Sequence, residues 1–158
     1  VDDLAGPQVG ALLEEHLDNM RAISPPESVH ALDLEALRRP EITFWTAWFG
    51  DDLAGCGALK ALEPTHGEIK SMRTASRHRN RGVARAVLAH ILSVARRRGL
   101  TRLFLETGAQ AAFEPARRLY AHFGFERCAP FGEYSLSPNS TCMTISLDPA
   151  ARGEGESR

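Results

Sequence analysis

The chain reads as a mixed α/β domain of the α+β kind, with six to seven strands in a mostly antiparallel sheet, a parallel pairing at the centre, and four helices. Three observations predict it. Residues 42–74 hold three strand-like runs broken by short turns. A long amphipathic helix starts near Val83, where Val83, Val87, Leu88, Ile91, Leu92 and Ala95 recur at helical spacing. Thr101–Thr107 (TRLFLET) then alternates as another strand. A strand–helix–strand unit over 68–107 requires a right-handed crossover and parallel strands. The sheet therefore begins antiparallel and turns parallel in its middle.

Taken in order, Val1-Asp2-Asp3 reads as the end of a first strand. Val9, Leu12, Leu13, His16, Leu17 and Met20 form a helical stripe over Pro7–Met20, with Pro7 suited to a helix start. Ser24-Pro25-Pro26 ends that helix, and Leu32–Arg38 makes a short second one that stops before Pro40. Ile42–Phe49 (ITFWTAWF) is β-branched and aromatic, Gly50-Asp51-Asp52 is a hairpin turn, and Leu53–Leu62 returns with small residues that admit close packing. Glu68–Thr74 is the third run. Arg96, Arg97 and Arg98 suit the dipole at the end of the central helix, and Gly99 terminates it. Phe113, Ala116, Leu119, Tyr120 and Phe123 mark a fourth helix closed by Gly124, and Phe125–Phe131 and Thr141–Leu147 are the last strands. One domain over 1–149 is expected, with a polar, disordered tail at 150–158.

Composition excludes several classes. A net charge of −1 argues against a dedicated nucleic-acid binder, and no apolar run reaches the ~18 residues of a membrane span. Cys56, Cys128 and Cys142 form no CxxC pair and cannot all pair internally, which fits reduced thiols in a cytoplasmic protein. The apolar strands at 42–49 and 141–147, if they lie at sheet edges, give a route to a homodimer.

The functional signal sits where the central helix begins. A helix start presents unpaired N–H groups, a setting for phosphate oxygens. Gly82 allows close approach, Ala84 adds little bulk, and Arg77, Arg79 and Arg81 add charge. The stretch reads as a cradle for the pyrophosphate of a large anionic cofactor. Neither GxxxxGK[ST] nor GxGxxG occurs. What occurs is Arg79-x-x-Gly82-x-Ala84, followed one strand later by Ala116-x-x-Leu119-Tyr120-x-x-x-Gly124-Phe125.

These two motifs, in this order, resemble the GNAT superfamily of N-acetyltransferases, over roughly Ile42 to Leu147. The resemblance implies acetyl-CoA as acyl donor and no metal. It implies strands that splay apart at the centre, so that pantetheine pairs with Met72, Arg73 and Thr74. The pyrophosphate is expected on Arg79, Asn80, Arg81, Gly82, Val83 and Ala84. Relatives carry an asparagine before the tyrosine helix; here Phe113 is the nearest match, and Gln110 stands in as the cofactor contact.

The chemistry asks for a base to strip an ammonium and an acid for the departing thiolate. Tyr120, which the resemblance places near the sulfur, is the candidate acid; a core tyrosine is its alternative reading. Glu68 is the candidate base, with Glu106 and His66 as alternatives. No cysteine has a neighbouring histidine, which favours direct attack over an acyl-enzyme. Lys70 shares a strand face with Glu68 and Arg73 is close by, so a cationic wall favours a small primary amine that also carries a carboxylate. His30 and Tyr134 sit on loops able to close over that acceptor. A non-catalytic acyl-CoA-binding regulatory module is the alternative function.

Overall fold

The structure is a computed structural model that describes residues 1, 2, 4, 6–23, 34–132 and 134–147. The expected tail at 150–158 and His30 lie outside the described residues. Helix α1 spans Pro7–Ile23 and the single turn α2 spans Leu34–Leu37. Strands β1 (Ile42–Phe49), β2 (Asp52–Glu63) and β3 (His66–Thr74) follow, then α3 (Val83–Arg97), β4 (Arg102–Gly108), α4 (Glu114–His122), β5 (Glu126–Cys128) and β6 (Ser140–Ser146). Of the four expected helices, α2 is a four-residue turn, so three helices carry the packing.

The six strands form one sheet in the order β1-β2-β3-β4-β6-β5. All neighbours are antiparallel except β3 and β4, which are parallel as the crossover through α3 requires. Among the described N-terminal residues there is no strand; a bond from the Asp2 N–H to the Phe44 carbonyl (2.8 Å) lies along the β1 edge. The last strands need two corrections. Phe125–Phe131 shrinks to Glu126–Cys128, because Pro130 lacks a ladder donor and Phe131 turns back to stack on Phe104 at 4.9 Å. Strand β6 lies between β4 and β5, so of the two proposed edges only β1 is one.

Each face of the sheet has its own core. On one face α3 buries Val83, Val87, Leu88, Ile91, Leu92 and Ala95, the six residues of the helical stripe, against Leu59, Ile69, Leu103 and Leu105. Gly57 makes this possible: a Cβ there would stand 2.7 Å from the Met72 sulfur and 2.8 Å from Val87 Cγ1. On the other face Val9, Leu12 and Leu13 of α1 join Leu37, Phe44, Cys56 and Ala58. The result is three layers, with the sheet between helices.

Two irregularities in β3 position the site. Pairing with β4 covers only His66↔Arg102 to Ile69↔Leu105, after which the two strands diverge. Strand β3 stays paired with β2 as far as Gly55↔Thr74, and β4 with β6 as far as Gly108↔Ser140. The facing edges of 70–74 and 106–108 are thus left without ladder partners. Within the same stretch β3 carries one extra residue: Cys56 faces Arg73 and Ala58 faces Lys70, so Ser71 and Met72 together oppose Gly57. Ser71 takes φ 55 to accommodate this bulge.

Candidate active site

The gap between the diverging strands opens into a cleft of about 840 Å³, of the size that holds a cofactor-sized ligand. Its floor comes from Glu68–Thr74 of β3 and Glu106–Gly108 of β4, and α3 and α4 supply the flanks. At one end stands the start of α3. Gly82 caps it at φ 79, no side chain caps the first turn, and that turn contains no acidic residue. The first amides of the helix therefore face the cleft without a side-chain acceptor. Asn80, at φ 63, gives the loop a second left-handed residue two positions before Gly82. Arg79, Asn80, Gly82, Val83, Ala84 and Arg85 line this end. A row of unpaired strand amides leading to an open helix tip fits a ligand that carries amides and then a diphosphate.

Arg81 points elsewhere. Its guanidinium lies 4.3 Å from the centre of the Phe49 ring and its Nη1 donates to His78 Nδ1 at 3.0 Å. Since arginine only donates, Nδ1 must accept, and His78 Nε2 carries the proton that it gives to Asp52 at 2.6 Å. Asp52 also accepts from Arg77 Nε at 2.9 Å, and these two contacts, Arg77 first, hold its carboxyl down to about 2. The cluster ties the 76–78 turn, and so the 79–82 loop, to the β1–β2 hairpin. Gln110 does not line the cleft either: its Oε1 is buried without a partner, and Phe113, Ala112, Pro115 and Ala116 form that wall.

The other end holds the titratable groups. Tyr120 of α4 is 7% exposed and lines the cleft. Burial alone pushes its phenol well above the usual tyrosine range, which keeps the proton in place across neutral pH. Glu68 is 3% exposed, and its Oε2 accepts from Lys70 Nζ at 3.0 Å and from Tyr134 OH at 2.7 Å. Lys70 Nζ also donates to Tyr134 OH at 2.9 Å, closing a three-membered cluster on the cleft wall. Burial, then the Glu68 charge, raises the Tyr134 phenol. Of the alternative bases, Glu106 lines the cleft, whereas His66 pairs with Glu63 at 3.6 Å and stacks edge-on against Phe104. The cysteines sit on strands outside the lining, and burial lifts the Cys56 thiol to about 12 and Cys142 to about 11. Neither is a nucleophile at neutral pH.

A model of the acetyltransferase (GNAT) family matches residues 9–125. The chain belongs to that family. It is 60% identical over 147 residues to the uncharacterized N-acetyltransferase YsnE of Bacillus subtilis (strain 168), covering 93% of this chain and 97% of the relative. It is 52% identical to the uncharacterized N-acetyltransferase YedL of Escherichia coli (strain K12), covering 92% of both. In fold it matches Rv2747 from Mycobacterium tuberculosis, solved in complex with CoA and NLQ, with a TM-score of 0.62 and 23% identity over 87% of this chain and 95% of that one. The chain is an acetyl-CoA-dependent N-acetyltransferase. Among the described residues no group of acidic, histidine and cysteine side chains is arranged to hold a metal, and no helix is long and apolar enough to cross a membrane.

Proposed function

We propose that this GNAT enzyme acetylates the primary amine of a small acceptor that also bears a carboxylate, by direct attack within a ternary complex. The observation that carries the reading is one cleft that joins the open tip of α3 to a buried phenol and a buried carboxylate. Acetyl-CoA supplies an acyl group on a thiol leaving group. The chain's part is to hold it, with backbone groups of Met72, Arg73 and Thr74 along the pantetheine and the amides at Gly82–Ala84, with Arg79, on the diphosphate.

An alkyl ammonium has a pKa of about 10.4, so roughly one molecule in 10³ is nucleophilic near pH 7. Glu68 takes that proton, directly or through a water; both of its hydrogen bonds use Oε2 and neither uses Oε1. As the C–N bond forms and the C–S bond breaks, the Tyr120 hydroxyl donates to the departing sulfur. A thiol pKa near 8.5 against a phenol above 10 makes full transfer uphill by at least about 2 kcal/mol, so most of the gain comes from the hydrogen bond. Solvent restores any proton lost. Lys70 and Arg73 supply positive charge on the acceptor side, and Tyr134 closes over it. The inert cysteines support direct attack.

Two measurements test this. Acetyl-CoA at about 100 times its dissociation constant is expected to stabilise the protein by about 2.7 kcal/mol in a thermal shift. Free-thiol release is then read across an amine panel, where a preference for spermidine over amino acids overturns the proposed acceptor. Binding of acetyl-CoA with hydrolysis but no amine turnover overturns the catalytic reading in favour of an acyl-CoA sensor.

A further inference from the structure

The acceptor carboxylate needs a specific donor and, apart from Arg79 and Arg85 at the helix tip, two cations line the cleft, Lys70 and Arg73. Lys70 is committed: its Nζ bonds both Glu68 Oε2 and Tyr134 OH. Arg73 is different. Its side chain is 12% exposed, its Nη2 donates to Glu15 Oε1 at 2.9 Å, and its Nε–H is buried with no partner among the described residues. A buried donor left unpaired costs about 1–3 kcal/mol.

The bulge gives this arginine its place. Along a regular strand Glu68, Lys70 and Met72 share a face and residue 73 points to the other. The extra residue reverses the alternation. Lys70 opposes Ala58 and Arg73 opposes Cys56, and both of those partners belong to the core on the α1 face. Met72 instead reaches the α3 side, beside Val87 and Ile91. Glu68, Lys70 and Arg73 thus converge on one face at the point where the strands part, and all three line the cleft. Glu15, from the middle of α1, aims the guanidinium across the layer boundary. Its carboxylate also accepts from Ser76 Oγ, a contact that, ahead of the Arg73 bond, holds Glu15 below the ordinary carboxylate range.

We infer that Arg73 is the carboxylate receptor that sets acceptor specificity, with Glu15 as the residue that positions it. The inference rests on the acetyltransferase reading above. Nη1 makes no bond to Glu15, so its N–H groups, with the charge of the guanidinium, are the donors that remain for a carboxylate. Lys70 neutralises Glu68 and holds it in place, and leaves anion recognition to Arg73.

The test compares kcat/KM for matched acceptors with and without the carboxylate: L-alanine against ethylamine, and L-phenylalanine against phenethylamine and L-phenylalaninamide. The wild type is expected to favour the amino acids. In Arg73→Gln that ratio is expected to fall about 10- to 100-fold, mostly as a rise in KM for the amino acid. Arg73→Lys recovers part of it and Glu15→Gln loses an intermediate share. If Arg73→Gln does not fold by circular dichroism, Arg73→Lys and Glu15→Gln carry the comparison. An unchanged ratio in the folded variants overturns the inference. So does a wild type that ignores the carboxylate, while amine acetylation by that protein leaves the enzymatic reading intact. Absence of an acetyl-CoA thermal shift overturns both.

Discussion

Replacing Tyr120 by phenylalanine separates catalysis from stability. The ring is buried at 7% exposure and packs edge-on against Phe125 at 5.8 Å, contacts that phenylalanine keeps. Among the described residues the hydroxyl has no hydrogen-bond partner, and burial is the sole cause of its raised pKa. Removing a hydroxyl that lies at the cleft and makes no bond to the described residues is therefore expected to leave stability within ~1 kcal/mol, a change of no more than roughly 2–4 °C in Tm for a chain of this size. Catalysis moves the other way: loss of the donor to the departing sulfur is expected to lower kcat by about 10²–10³-fold. KM for acetyl-CoA stays within about threefold, because the hydroxyl acts in the transition state and not in binding. Steady-state kinetics by free-thiol release and a calorimetric melt check both limbs. A variant with unchanged kcat refutes the assignment of Tyr120 as acid. A drop in Tm beyond about 5 °C refutes it differently, since the phenol would then be a structural member of the core.

Three further substitutions follow from the same geometry. Gly82→Ala places a Cβ on a backbone at φ 79 with open space around it, so its structural cost is the ~1–2 kcal/mol of a left-handed alanine, and the methyl stands at the helix tip where the diphosphate is proposed to bind; KM for acetyl-CoA is expected to rise at least about tenfold, and an unchanged KM argues that the helix tip is not the phosphate site. Gly57→Ala drives a Cβ to 2.7–2.9 Å from side-chain atoms of Met72, Val87 and Ile91, which must give way; a loss of about 1–3 kcal/mol in denaturant unfolding is expected, and a neutral result refutes the close approach. Asp52 has a carboxyl lowered from 3.8 to about 2 by Arg77 and then His78, so its stabilising share is present above about pH 4 and is lost as pH falls toward 2. The Tm difference between wild type and Asp52→Asn is therefore expected to close over that window, and a difference that persists at pH 2 refutes the pairing.

The parts of this protein that the sequence discloses are the ones in which local pattern and tertiary role agree. The six buried positions of α3 repeat at the helical period, so they are legible without any partner, and the strand–helix–strand order dictates the parallel pair. Gly82 announces itself because the left-handed turn before a helix has few other solutions. Long-range partners are hidden. Nothing near Arg81 in the chain says that His78 and Phe49 draw its side chain away from the cleft, since the anchor, Asp52, comes from a hairpin distant in sequence. Phe131 reads as strand because it is aromatic, yet the ring is taken by Phe104 across the sheet.

The bulge at Ser71 is the most consequential of these hidden features. No glycine or asparagine marks it, and a serine at φ 55 is a conformation that local preference disfavours. What holds it is tertiary: Met72 fills the space that Gly57 leaves beneath Val87 and Ile91, which fixes that side chain on the α3 face and forces the extra residue out. The same distortion lies where β3 leaves β4, opening the cleft, and turns Arg73 to the face of Glu68 and Lys70. A sequence reader who follows strict alternation puts Met72 beside Lys70 and sends Arg73 to the opposite core, where a cation has no place. The conflict between that pattern and an arginine is itself the signal: a charged residue at an inward strand position, in a chain otherwise locally consistent, points to a bulge and to a site that needs the charge.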